Sequence, residues 1–213
     1  MDSLSQLALA GGLAWASGIR LYVTILVVGL LGRYGYLQLP SALELLQHEW
    51  VLGAAAVMAV GEFLADKIPA FDSLWDALHT FIRIPAGAFL AWGAMGDATP
   101  AAQLAAAIIG GMITSGTHLA KSGSRAAINT SPEPFSNWTA SATEDGLVLG
   151  GLWVAIAHPG VFLVLLVVFL LLLAWLLPKL LRFIVRMFRR LAGRTPDPIA
   201  LSRNGRSRGR AKS

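Results

Sequence analysis

The chain has 213 residues, 55% of them hydrophobic and only 14% charged, with a mean hydropathy of +0.63, which disfavours an ordinary soluble domain. It contains no cysteine, so disulfides, thiolate metal sites and thiol nucleophiles are excluded, while the compartment stays open. The net charge of +5 hides a split: residues 1–178 carry six Lys/Arg against eleven Asp/Glu, and residues 179–213 carry eleven Lys/Arg against Asp197 alone.

Six apolar spans follow in order. The first, about Leu4 to Leu31, is interrupted by Gly11-Gly12, Ser17-Gly18 and Arg20. Ala14-Trp15-Ala16 resembles a signal cleavage site, but there is no basic n-region and the apolar sequence continues, so a retained span is expected. The second span is about Trp50 to Ala65, the third about Ile84 to Met95 and the fourth about Ala101 to Leu119. Leu147 to Ala157 is short, and after the turn His158-Pro159-Gly160 the sixth runs from Val161 to Leu177. The short spans fall below the roughly 20 residues that cross a bilayer as helix, so they are tilted, extended by polar turns, or re-entrant.

Between spans two and three, FDSLWDALHTFIR places Phe71, Leu74, Trp75, Leu78 and Ile82 on one helical face and Asp72, Asp76, His79 and Arg83 on the other. Pro69 and Pro85 bracket it, which predicts a short amphipathic helix at the interface or dipping into the bundle. The polar stretch His118 to Gly146 holds His118, Lys121, Ser122 and Arg125 at i, i+3, i+4 and i+7. Asn129, Thr130 and Ser131 then offer hydrogen bonds, and Pro132 and Pro134 stop the helix. Glu144-Asp145 return before span five, either as a helix N-terminal cap or as partners of that cationic stripe. Gly146 and Gly150 form a Gly-x-x-x-Gly pair that speaks for close helix packing.

Beyond span six, Lys179, Arg182, Arg186, Arg189 and Arg190 share a face opposite Leu180, Phe183, Ile184, Met187 and Leu191, a basic helix suited to an anionic leaflet. From Thr195 the composition predicts a disordered basic tail. RNGRSRGRAK would suit nucleic acid, yet cytoplasmic topology and anionic lipid account for it with less. The organisation is therefore a membrane domain over 1–178, a basic juxtamembrane helix over 179–194 and a tail over 195–213.

Arg20 is the sharpest anomaly. An arginine facing hydrocarbon costs at least ~2.5 kcal/mol, so it should turn inward to a partner, with Glu62 and Asp66, one turn apart in span two, as candidates. The pair is either a structural lock or part of a polar cavity for an ion, small solute or lipid head group. Ser17-Gly18-Ile19-Arg20-Leu21 is echoed by Ser115-Gly116-Thr117-His118-Leu119. If each half (1–97 and 101–178) has three spans, the halves form an inverted 3+3 repeat, a plan common among secondary transporters. The four histidines, His48, His79, His118 and His158, show no metal-ligand spacing, and no Gly-rich phosphate loop, HExxH or GxSxG occurs. No enzyme activity, cofactor or metal is expected.

GEFLADKIPAFDSLWDALHTFIRIPAGA (Gly61 to Ala88) and KSGSRAAINTSPEPFSNWTASATEDG (Lys121 to Gly146) resemble a bacterial and plant membrane family known as domain of unknown function family 4126. The similarity spans roughly Leu4 to Leu177. It implies that Glu62, Asp66, Lys67, Pro69, Asp72, Arg83, Lys121, Arg125, Asn129, Ser131, Pro132, Glu133, Pro134, Ser136, Asn137, Glu144 and Asp145 are signature positions, and it carries no activity.

The expectation is an all-α membrane protein of about six transmembrane or partly re-entrant helices plus an amphipathic interfacial helix. It sits in the inner membrane with both termini cytoplasmic, and self-association is compatible with it. The candidate network is Arg20, Glu62, Asp66, Lys67, His118, Lys121, Arg125, Asn129, Glu144 and Asp145. A small transporter or channel-like role is the first reading. The alternative is a non-transporting scaffold whose basic end recruits anionic lipid or partners.

Overall fold

The computed structural model describes residues 2–129 and 134–192. Among these residues it is all helical: α1 (Ser3–Arg33), a 3-10 segment (Ser41–Gln47), α2 (Glu49–Ala65), α3 (Pro69–Ala94), α4 (Pro100–Ile128), α5 (Pro134–Ala157) and α6 (Pro159–Ala192). The helix starts follow local chemistry. Asp2 Oδ1 accepts from Ser5 N at the head of α1, and Thr99 Oγ1 accepts from Ala102 N before Pro100 at the head of α4. α1 ends in a turn closed by Gly35 at φ +76°, a left-handed conformation that favours glycine.

Two compact units separate at Leu177/Pro178. In the first, α1 is the central helix, packed against α2, α3, α4 and α5, while α3 and α4 share the longest interface. The second unit holds, among the described residues, the continuation of α6 to Ala192. There Arg182 Nε donates to Pro178 O at 3.0 Å. The side chains of Arg186, Arg189 and Arg190 and the whole expected tail lie outside the described residues.

Small residues set the helix spacing. A Cβ on Gly87 would lie 2.0 Å from Thr114 Oγ1, one on Gly110 would lie 2.3 Å from Ala91 Cβ, and one on Gly18 would lie 2.7 Å from Thr114 O. Thr114 Oγ1 in turn reaches Ala14 O and Gly110 O at 2.8 Å, joining α4 to α1. Gly87→Ala is expected to cost about 1–3 kcal/mol, because backbone must shift to admit the methyl, and a lowered unfolding temperature in detergent checks it. Gly146 and Gly150 behave differently. Nothing approaches within 4 Å of a Cβ built on either, so the expected close packing is absent there. They line an apolar groove of about 310 Å³ with Trp15 and Phe162.

The exterior is apolar, and beside an apolar core the interior holds a charged cluster. Leu74, Leu78, Phe81 and Ile82 on α3 and Leu104, Ile108, Ile109 and Met112 on α4 are exposed, and so are Val57, Val60, Phe63 and Leu64 on α2. Asp72, Asp76, His79 and Arg83 of α3 are all buried, at 6% exposure or less. Of the two expected placements, at the interface or dipping into the bundle, the buried polar face supports the second, and the expected end of the helix at Pro85 is corrected. The segment from Phe71 to Arg83 is the first half of α3, which passes through Pro85 without ending. Periodicity identifies two faces and not which one meets solvent, and in a bilayer the polar face turns inward.

Within the stretch from His118 to Gly146, α4 runs to Ile128 and α5 starts at Pro134. Among the described residues, two helices are long and apolar enough to cross a membrane, Ser3–Arg33 and Pro159–Lys179. The number rises to three if the 3-10 segment and α2, bent by 65°, form one broken span.

Candidate functional site: a buried charge network

α1 breaks at Arg20, whose φ of −142° and ψ of 79° leave the helical region. A break strands carbonyls of the preceding turn, and at depth in a bundle these need partners. Lys121 Nζ donates to Ile19 O at 3.1 Å, and Thr24 Oγ1 donates to Arg20 O at 2.7 Å. The break also swings the Arg20 guanidinium, 1% exposed, among carboxylates from two other elements. It pairs with Asp66, which caps α2, and Nε lies 2.9 Å from Asp145 Oδ1 on α5. Nη2 lies 3.4 Å from Glu144 and donates to Ser141 Oγ at 2.8 Å.

Arg125 on α4 lies on the other side of the same carboxylates. Nε and Nη2 grip the two Glu144 oxygens at 2.8 and 3.1 Å, and Nη2 also reaches Asp66 Oδ2 at 3.2 Å. Such a fork-to-fork pair is the strong, oriented form of a charged hydrogen bond. Nη1 donates to Asn137 O at 3.1 Å, tying α4 to α5.

A second knot lies against the first. Arg83, fully buried, pairs with Glu62 on α2, and its Nη1 donates to Asp76 Oδ1 at 3.0 Å and to His118 Nδ1 at 3.1 Å. A guanidinium only donates, so His118 Nδ1 accepts and the ring proton sits on Nε2. That Nε2–H then donates to Thr80 Oγ1 at 2.7 Å, and Thr80 passes its own proton to Asp76 O at 2.9 Å. His118 is thereby held as a neutral imidazole. Asn129 Nδ2 donates to Asp72 Oδ2 at 3.0 Å at the edge of the network.

The network thus ties together cations Arg20, Arg83, Lys121 and Arg125 and carboxylates Glu62, Asp66, Asp76, Glu144 and Asp145. Carboxylates outnumber cations by one, and by two when Asp72 is counted. Among the described residues, Glu62 Oε2, Asp66 Oδ1 and Asp72 Oδ1 are buried without a hydrogen-bond partner. A cleft of about 270 Å³ between α3 and α4 opens from the surface onto Asp76 and Arg125, lined also by Ser73, Ala77, Thr80, Ser122 and Ala126. Arg20, Glu62 and Asp66 do not line it.

Of the ten residues expected in the site, nine lie in or against this network. Lys67 does not: its ammonium sits over the Phe63 ring at 4.0 Å and faces Trp138 at 5.5 Å. The Arg20 partnership divides, since Asp66 takes Arg20 whereas Glu62 takes Arg83. Glu144 and Asp145 cap nothing, because α5 begins at Pro134 and they lie inside it. Sequence reasoning missed Arg83, Asp76 and Ser141 as members. The i, i+4, i+7, i+11 stripe of α3 was the signal for the first two, and a lone serine gave none for the third. Thr130, Ser131, Pro132 and Glu133 lie outside the described residues.

A family model described as "Domain of unknown function (DUF4126)" matches residues 7–179, and the chain belongs to that family. No curated protein and no solved structure matches it.

Proposed function

We propose that this family member is a multi-pass membrane protein in which the charge network forms the centre of a solute pathway, in the manner of a small transporter or channel. The observation that carries this is the break of α1 at Arg20 inside a net-negative buried network. Broken helices and surplus buried charge are expensive in a bilayer, and they recur where a solute passes. The α3–α4 cleft supplies a route from the surface to Asp76 and Arg125.

In this reading α2 to α5 also lie in the bilayer, their hydropathy lowered by the charges they turn inward. The inner membrane with both termini cytoplasmic agrees with the basic end, which would rest on anionic lipid. The two similar pentapeptides meet in space, since Gly18 packs against Thr114, Thr117 and His118, as a pseudo-two-fold axis would require. The other interfaces repeat only in part: α3 packs along α4, while α6 meets α1 more loosely, through Phe162, Leu166 and Phe169 against Gly11, Gly12 and Trp15.

One observation favours the second reading, a scaffold with structural charges. Arg20, Glu62 and Asp66 are buried, paired and away from the cleft. Solute profiling of a deletion strain complemented with wild type or Glu62→Gln separates the two. Transport predicts that the variant, though folded and inserted, loses at least tenfold of any solute flux that wild type restores. Identical profiles remove Glu62 from a pathway.

A further inference from the structure

The ammonium of Lys121 sits where several elements converge. Its neighbours are Ile19 O at 3.1 Å from the α1 break, Glu62 Oε1 at 3.5 Å, Asp76 Oδ1 at 3.7 Å, Glu144 Oε2 at 3.7 Å and Asp66 Oδ1 at 3.9 Å. Five acceptors surround a group with three N–H donors. Charge-assisted N–H···O bonds run at about 2.7–2.9 Å, so all four carboxylate oxygens stand back from the nitrogen. Asp66 Oδ1 faces it, in a side chain 1% exposed, and has no hydrogen-bond donor within bonding geometry among the described residues. The lysine enters from α4 and reaches the cage without filling it.

We propose that this cage is a binding site for a primary ammonium group, and that Lys121 is its built-in occupant, competing with an external one. The exclusion of metals is geometric. Hard cations bind oxygens at about 2.0–2.6 Å, and among the described residues no group of three His, Cys, Asp or Glu is placed to hold a metal ion. An –NH₃⁺ group free of the lysine stem can shift toward the oxygens of Glu62, Asp76, Glu144 and Asp66, which stand 3.5–3.9 Å from Nζ, and bring a donor to Asp66 Oδ1. Two sources share that chemistry, a free amine such as ammonium or methylammonium and the head group of an aminolipid. Ser73, Thr80 and Ser122 give the cleft to Asp76 a hydroxyl lining that suits either. The site stands on its own geometry, but the fate of a bound amine, carried across or only held, rests on the transport reading.

Lys121→Ala leaves the cage empty and tests the site. In phosphatidylcholine nanodiscs the variant is expected to unfold at a lower temperature than wild type, and ammonium or methylammonium chloride should raise it by roughly 5 °C. Tetramethylammonium chloride at equal ionic strength, which has no N–H to donate, should not. Rescue by phosphatidylethanolamine nanodiscs without added amine would assign the site to a lipid head group, and rescue by methylammonium alone to a free amine. Equal effects of ammonium and tetramethylammonium overturn the proposal. It falls too if Lys121→Ala and the milder Lys121→Gln are equally unfolded whether or not ammonium is present during solubilisation. Labelled methylammonium flux into wild-type proteoliposomes is scored separately. Rescue without flux keeps the amine site and removes transport of that amine, while flux without rescue places the amine elsewhere.

Discussion

Arg83→Met is expected to be the most damaging single change in the protein, costing about 3–5 kcal/mol. The guanidinium is fully buried and serves Glu62, Asp76 and His118 together. Removing it leaves two carboxylates in the interior without their main counter-charge, and that uncompensated charge dominates the cost. The loss should appear as a steep fall in monodisperse protein recovered from membranes, with a lowered unfolding temperature for whatever remains. Combining it with Glu62→Gln should return part of the loss, because the amide needs no counter-ion. A double variant as damaged as the sum of its parts would mean that the Glu62–Arg83 pair is not the source of the effect.

Arg20→Met comes second, at a similar magnitude, for a different reason. Arg20 both neutralises Asp66 and Asp145 and holds α5 through Ser141, so its loss removes the direct tie from the break in α1 to α5. Arg20→Lys should recover only part of the stability. A point-like ammonium cannot serve partners on two elements as a planar fork does. Thermal unfolding of the three proteins in one detergent, ordered wild type, Arg20→Lys, Arg20→Met, checks this. Equal stability of the lysine variant and wild type would show that charge alone, and not the fork, is needed at position 20.

Much of this was legible in the sequence, and the failures share one cause. Arg20 announced itself because a charge so deep in an apolar run requires a partner, and the His118–Lys121–Arg125 spacing read correctly as one face, since α4 continues past them. Hydropathy failed where charges face inward. It truncated α3 and α5 at their polar halves, ended the Phe71–Arg83 helix at Pro85 and left Glu144-Asp145 open between a cap and partners of the cationic stripe. In a membrane bundle the least apolar half-helices form the interior, so a window average removes the stretches that build the site. The division of Glu62 and Asp66 between Arg83 and Arg20 had no signal in spacing, because residues one turn apart share a face but not a partner.

The solute-pathway reading requires that water reach the charge network through the α3–α4 cleft. Because the chain has no cysteine, single cysteines report cleanly. Ala77→Cys and Ala126→Cys line the cleft, whereas Leu78→Cys and Met112→Cys lie on exposed apolar surface of the same two helices. In sealed and then permeabilised native membranes, a membrane-impermeant maleimide should label the two cleft positions and leave the other two unlabelled until detergent is added. Equal labelling of all four positions before detergent would contradict the claim, and so would cleft positions that stay unlabelled from both sides.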